Sequence, residues 1–206
     1  MYTLTELQKS VAQYMESLNI SGNPQTLYEP IAYSLAAGGK RLRPMLTLLS
    51  CGIFADEIEA AMPCAAAVEF FHNFTLLHDD IMDNAAMRRG RESVYAKWGE
   101  NVAILSGDAM LILAYRLMAD CPTDKLKEVL DVFTQTTMEI CEGQQWDMEF
   151  ETRMDVSEAE YLEMIRLKTS VLLARLSATT SRYSVWRYYP TTALEYINGK
   201  QWGGNT

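Results

Sequence analysis

The densest chemical signal in the chain is His78-Asp79-Asp80-Ile81-Met82-Asp83. On a helix Asp79 and Asp83 stand one turn apart and project from one face, so their carboxylates can share a hard, oxygen-seeking cation such as Mg²⁺ with a phosphate oxygen. Asp80 lies about 100° round the helix and is the weaker candidate for direct ligation. An isolated acidic pair is more often a solvated helix end than a metal site, so its surroundings decide.

Those surroundings are cationic. Five residues beyond Asp83 begins Arg88-Arg89-Gly90-Arg91, and a second basic cluster, Gly38-Gly39-Lys40-Arg41-Leu42-Arg43-Pro44, precedes the aspartates. Bases beside acids can be mutual surface salt bridges contributing little. A diphosphate gives the same groups a use: its charge calls for metal ions and for forked guanidinium donors. Gly38 and Gly39 let a backbone approach a phosphate that Lys40 and Arg43 can reach. Two anion sites with one metal site suggest two diphosphate substrates.

The elements that must carry these groups are helical. Leu4, Leu7, Val11, Met15 and Leu18 recur at helical intervals and meet the turn cluster Ser21-Gly22-Asn23-Pro24. A second helix is expected from Leu27 to Ala37, ended by Gly38-Gly39, and a third from Pro44, which suits a first turn. Residues Asp56 to Asn84 read as one central helix, kinked at Pro63 and apolar on most faces. Helices are also expected over Glu100–Ala119, over Thr123–Glu151 with Thr123 as N-cap, and from the Ser157/Glu160 capping box to at least Leu173. No alternating strand pattern of useful length occurs. The expected fold is all-α, an antiparallel helix bundle, over residues 1–174, followed by an aberrant or loop-like tail at 175–206.

Composition narrows the partners. The chain has 206 residues and a formal net charge of −9, which disfavours nucleic acid and anionic membrane. Neither a signal peptide nor a transmembrane segment is expected, since the apolar run Ala109–Ala119 is short and contains Arg116. Cys51, Cys64, Cys121 and Cys141 form no CxxC pair and read as reduced core thiols of a cytoplasmic protein.

Taken in order, Gly38 to Pro44, Glu69-Phe70-Phe71-His72, Leu76 to Asp83, Arg88-Arg89-Gly90, Leu105-Ser106-Gly107-Asp108, Gly143-Gln144 and Lys168-Thr169 resemble the motif series of the polyprenyl synthetase (trans-isoprenyl diphosphate synthase) family. The resemblance implies the isoprenoid synthase type of helix bundle. It also implies Mg²⁺-dependent condensation of isopentenyl diphosphate with an allylic diphosphate. Lys40, Arg43, His72 and Arg89 would bind isopentenyl diphosphate. Asp79, Asp83 and Asp80 would hold Mg²⁺ on the allylic diphosphate, with Arg88, Lys168 and Thr169 touching that substrate and Gln144 lining the cavity. In this family product length depends on side chains below the aspartates. Phe74, with Phe71 and Thr75, stands about 7.5 Å along the axis from Asp79 and suits a short chain, farnesyl or geranylgeranyl, although ordinary core packing explains both phenylalanines equally well. Homodimers are expected by the same resemblance.

The departures are specific. Asp79-Asp80 is the only adjacent aspartate pair, and beyond Lys168 the sole acidic residue is Glu195, so the family's second aspartate motif and its later helices are not seen. After Ala174 the composition turns to hydroxyl, aromatic and β-branched residues, as a frameshift or truncation would produce. Three readings stay open: a prenyltransferase, a non-catalytic diphosphate-binding or regulatory subunit associated with a complete synthase, and a terpene cyclase. Gly38–Pro44 and Arg88-Arg89 disfavour the cyclase, which has no isopentenyl diphosphate to bind.

Overall fold

The computed structural model describes residues 2–53, 58–172 and 174. Among them lie eight α-helices and one two-residue-per-strand hairpin: α1 (Leu4–Ser17), α2 (Gln25–Ala36), α3 (Leu42–Gly52), α4 (Met62–Met82), β1 (Met87–Arg88), β2 (Arg91–Glu92), α5 (Val94–Trp98), α6 (Glu100–Ala119), α7 (Leu126–Phe150) and α8 (Glu158–Ile165). The all-α expectation holds. By its contacts the chain divides into two compact units, Met1–Met45 with Met62–Cys121, and Leu46–Ala61 with the chain from Pro122 onward.

In the first unit α4 and α6 form the centre, and α1, α2 and α5 pack on them. Helix α4 buries Ala65, Ala67, Val68, Phe70 and Phe71, and α6 buries Ala103, Met110 and Ala114, all at 0–1 % exposure. Small residues at these positions let the two axes approach closely. By length and composition α6 could cross a membrane, contrary to the expectation that no segment would qualify. Its buried Ala103, Gly107, Met110 and Ala114 make it a core helix of this unit.

Local chemistry explains where the helices begin. Thr3 and Glu6 form a reciprocal capping box at α1, and Ser157 and Glu160 form the one expected at α8. The central helix starts later than its apolar run suggested. A 3₁₀ turn over Glu59–Ala61 comes first, and α4 then opens at Met62, so Pro63 occupies the first turn and needs no kink. The earlier part of the expected helix, at Asp56 and Glu57, lies outside the described residues. Helix α7 begins at Leu126, capped by no side chain, so Thr123 is not its N-cap.

In the second unit α7, α8 and a π-helical turn over Arg166–Ser170 pack together. The turn interrupts the continuous helix expected here. Leu173 and the tail at 175–206 lie outside the described residues. Cys51, Cys64 and Cys121 are buried free thiols, as expected; Cys141 is exposed on α7 and is not a core residue.

Candidate functional site

In the first unit the loop 38–41, the start of α3, α4 and the hairpin carry Lys40, Arg43, His72, Arg88 and Arg89 of the residues expected to meet a diphosphate. The loop leaves α2 through Gly38 at φ +70° and Gly39 at φ +146°, and Arg41 itself adopts φ +49° before α3 begins. Gly39 has a second reason to lack a side chain: a Cβ there would lie 2.9 Å from Arg89 Nη1. That guanidinium donates to the Gly38 carbonyl, which ties the hairpin to the loop. The hairpin reverses through Arg89 (φ +52°) and Gly90 (φ +78°), the two-residue turn whose twist suits antiparallel strands. Ser93 holds its exit, donating to Ala85 O at 2.6 Å and capping α5 through Ala96 N. Two-residue strands leave no alternation in the sequence to detect, so the hairpin was not expected.

Helix α4 presents two stripes to these segments. Glu69, Asn73 and Asp80 lie within about 40° of one another around its axis, while His72, Asp79 and Asp83 form a second stripe roughly 80° away. The first stripe is buried, with Glu69 and Asp80 each 3 % exposed. Glu69 accepts from Arg41 Nη1 at 2.7 Å and is braced by Asn73 Nδ2 at 3.2 Å. Asp80 Oδ1 accepts from Arg88 Nε at 2.8 Å and Nη2 at 2.5 Å.

The second stripe is more open. Arg43 Nη1 lies 3.0 Å from His72 Nε2. Arginine only donates, so Nε2 is the bare, accepting nitrogen and Nδ1 carries the proton. Burial, together with Arg43, Arg89, Arg88 and Arg41, pushes the His72 pKa down to about 3. Burial is the larger cause and the surrounding arginines add to it, so the imidazole stays neutral beside them. Asp79 is within 3.3 Å of Arg88 Nη2, and Asp83 is exposed one turn on, its amide bonded to Asp79 O at 2.9 Å. Lys40 is exposed on the loop.

Among the described residues, no three His, Cys, Asp or Glu side chains gather into a metal centre. The donor set nevertheless suits Mg²⁺ in one form. That ion retains waters and commonly takes one or two carboxylates plus substrate phosphates, which Asp79 and Asp83 can supply. Asp80, also expected at the metal, is buried and paired with Arg88.

Phe71, Phe74 and His78 follow one another along α4, with ring centroids 5.5 Å and 4.6 Å apart. Phe71 is core at 1 % exposure, whereas Phe74 and Thr75 are half-buried. His78 lies 3.3 Å from Ile104 O and 3.6 Å from Asp108, and Gly107 faces its ring so closely that a Cβ would come within 2.5 Å of Nε2.

The second unit carries Gln144, Lys168 and Thr169. Lys168 sits in the π turn and pairs with Asp147 Oδ2 at 2.5 Å; Gln144 is half-buried and Thr169 exposed. A Cβ on Gly143 would collide with the Lys168 backbone nitrogen and lie 2.8 Å from Leu167 Cβ, so glycine lets α7 meet the turn. Sequence reading missed Asp147 as the partner of Lys168 and Glu69 as the partner of Arg41. A lone carboxylate inside the apolar run of α4 was a usable signal for Glu69, because such a group is rarely buried unpaired. Nothing comparable marks Asp147.

The model of the polyprenyl synthetase family matches residues 24–186. The chain belongs to the polyprenyl synthetase family. Its match reaches past Ala174, where the composition of the tail changes. It is 46 % identical over 153 residues to a geranylgeranyl diphosphate synthase of Methanosarcina mazei, covering 73 % of this chain and 47 % of that protein. A geranylgeranyl pyrophosphate synthetase structure from Pyrococcus horikoshii superposes with a TM-score of 0.85 at 34 % identity, covering 95 % of this chain and 59 % of the other. A Caulobacter crescentus polyprenyl synthase, solved with calcium and isoprenyl diphosphate, matches with a TM-score of 0.79 at 30 % identity, over 88 % of this chain and 55 % of that one. The chain spans about half the length of the curated relatives it matches. Like these polyprenyl synthetases, it is all-α.

Proposed function

We propose that this polyprenyl synthetase chain binds isopentenyl diphosphate and an allylic diphosphate and serves their condensation to a short-chain prenyl diphosphate. One observation supports the reading above the others: Arg89 donates to the Gly38 carbonyl, Arg43 just after the same loop meets His72 of α4, and α4 carries Asp79 and Asp83 alongside. Lys40, Arg43, Arg89 and the Nδ1–H of neutral His72 are the donors assigned to isopentenyl diphosphate. Arg88 is assigned to the allylic diphosphate. The assignment of Lys168, Thr169 and Gln144 to that second substrate rests on the order of the motifs.

The chemistry needs no nucleophilic side chain. The allylic C–O bond breaks with its electron pair leaving on diphosphate, the isopentenyl double bond attacks the resulting cation, and a proton is lost to restore an alkene. Asp79 and Asp83 would hold Mg²⁺, which would supply positive charge to the departing diphosphate. Arg88 stabilises the same developing charge through a donor already oriented by the fold. Phe74, half-buried between Phe71 and His78 and about 7.5 Å along the axis from Asp79, limits how far the growing hydrocarbon extends. The names of the relatives favour a geranylgeranyl or slightly longer product. Cytoplasmic location and homodimer formation belong to the same proposal.

A second reading is a diphosphate-binding subunit of a complete synthase. Incubating the purified chain with Mg²⁺, labelled isopentenyl diphosphate and geranyl or farnesyl primer distinguishes the two. A longer prenyl diphosphate that disappears on chelation supports the transferase. Folded protein that binds both substrates without turnover supports the subunit.

A further inference from the structure

The mechanism above uses the outward stripe of α4 and leaves its buried stripe unexplained. Two carboxylates, Glu69 and Asp80, sit there 11 residues apart in sequence, which is about three helical turns and nearly the same angle around the axis. Both are 3 % exposed, and a carboxylate is rarely taken that far from water without a strong partner. Each has one: Arg41 from the loop before α3, and Arg88 from the hairpin after α4.

We propose that Glu69 and Asp80 are positioning residues, and that their work is to fix the two cationic segments from below so that Lys40, Arg43 and Arg89 stand ready for a diphosphate. The proposal rests on the diphosphate reading of this site. Asp80 thereby leaves the metal-ligand set and becomes the anchor of Arg88.

Several features converge on this assignment. Arg41 is held at φ +49°, a backbone region unfavourable for a residue with a Cβ, and its side chain also donates to Leu35 O at 2.8 Å. Such a conformation persists where surrounding contacts over-determine it, and the Glu69 pair supplies that constraint. Asn73, itself 2 % exposed, holds Glu69 through one oxygen at 3.2 Å and bonds the Glu69 carbonyl at 2.8 Å, so the carboxylate cannot turn away. On the hairpin side, Arg88 is adjacent to Arg89, whose φ is +52° and whose guanidinium reaches back to Gly38. Loop and hairpin are thus joined to each other above and to one buried stripe of α4 below. Moving either carboxylate releases a segment that bears phosphate donors.

The test uses the whole chain and inorganic diphosphate as probe, with affinity measured by calorimetry across a Mg²⁺ series. Glu69→Gln and Asp80→Asn keep shape and remove charge. Each is expected to weaken diphosphate binding at least 10-fold while the Mg²⁺ concentration giving half-maximal binding stays unchanged. Asp79→Asn is expected to move that Mg²⁺ midpoint instead. In double-variant cycles, Glu69→Gln with Arg41→Gln and Asp80→Asn with Arg88→Gln should cost no more than the worse single change, as expected when each pair acts as a unit. Binding by Glu69→Gln and Asp80→Asn equal to the parent overturns the proposal. So does a Mg²⁺ midpoint displaced by Asp80→Asn as much as by Asp79→Asn, which returns Asp80 to the metal. If a variant unfolds, Arg41→Lys and Arg88→Lys, which retain the charge but not the forked geometry, take its place; undiminished binding by both overturns the proposal. Absence of diphosphate binding by the parent chain would instead overturn the underlying diphosphate reading.

Discussion

His72 offers a measurement in which the magnitude follows from the site. Its pKa is driven from 6.5 to about 3 by burial and by the arginines around it. Below pH 6.5 the unfolded chain takes up a proton on this imidazole that the folded chain refuses until about pH 3. The unfolded state therefore binds more protons throughout that window, and stability falls as the pH falls. The loss is about 1.4 kcal/mol per pH unit, hence about 2 kcal/mol between pH 6.5 and 5. Carboxylates titrate nearby, so the perturbation is His72→Gln, whose amide oxygen can still accept from Arg43 but does not titrate. Urea unfolding of parent and variant at pH 7.5 and 5.0 gives the difference directly. With a urea slope of about 2 kcal/mol per molar, the parent's midpoint should drop about 1 M further than the variant's. The chain has two histidines, so the imidazole C2–H resonances give an independent reading. One of them should not shift between pH 7.5 and 4.5. Parallel pH dependence in urea, together with both resonances titrating near 6.5, would show that His72 is not held neutral by burial beside the arginines and would remove the physical basis for its place in an anion site here.

Three further outcomes follow from close contacts. Gly107→Ala gains about 1 kcal/mol of helix propensity but drives a Cβ to 2.5 Å from His78, an overpacking cost of about 1–3 kcal/mol, so thermal unfolding should show net destabilisation and the His78 resonance should move. Gly143→Ala meets backbone at the π turn, which cannot rotate aside as a ring can; a loss of about 3 kcal/mol in urea unfolding is expected, and a neutral result would mean α7 and the turn are not packed as described. Phe74→Ala should lengthen the product seen by chromatography in any preparation that turns over, and an unaltered product distribution would leave Phe74 as core packing only.

Much of this site was legible because its chemistry is local. DDxxD on a helix places Asp79 and Asp83 on one face by geometry alone, and Gly38-Gly39 announced both the end of α2 and a close backbone approach. The division of labour between neighbouring arginines was not legible. Arg41 and Arg43 are two residues apart, yet one turns to buried Glu69 and the other to His72, a choice set by the left-handed backbone at Arg41. Arg88 and Arg89 diverge in the same way across the hairpin. Helix boundaries failed where a short local preference competed with the apolar run: the 3₁₀ turn before Met62 displaced the start of α4, and no side chain caps α7. The π turn at Arg166–Ser170 leaves no compositional trace, since one extra residue per turn changes the phase of the pattern without changing its polarity.

Arg43, Arg88 and Arg89 in the first unit, and separately Lys168 in the second, each already have an acceptor, so any phosphate proposed for either must compete with it, and burial decides where it succeeds. The Lys168–Asp147 pair has side chains 31 % and 36 % exposed. Such partly solvated pairs contribute about 0–1 kcal/mol, while a hydrogen bond to a charged group is worth about 1.5–3 kcal/mol. Phosphate can therefore displace Asp147. The same comparison frees Asp79, whose contact with Arg88 is long at 3.3 Å, to turn to a metal ion. It does not free Asp80 or Glu69, because stripping the partner from a buried charge costs about 3–5 kcal/mol, more than one phosphate contact returns. Ligand binding should consequently rearrange the outward groups while the Glu69–Arg41 and Asp80–Arg88 pairs stay closed, leaving the loop and the hairpin where the fold put them.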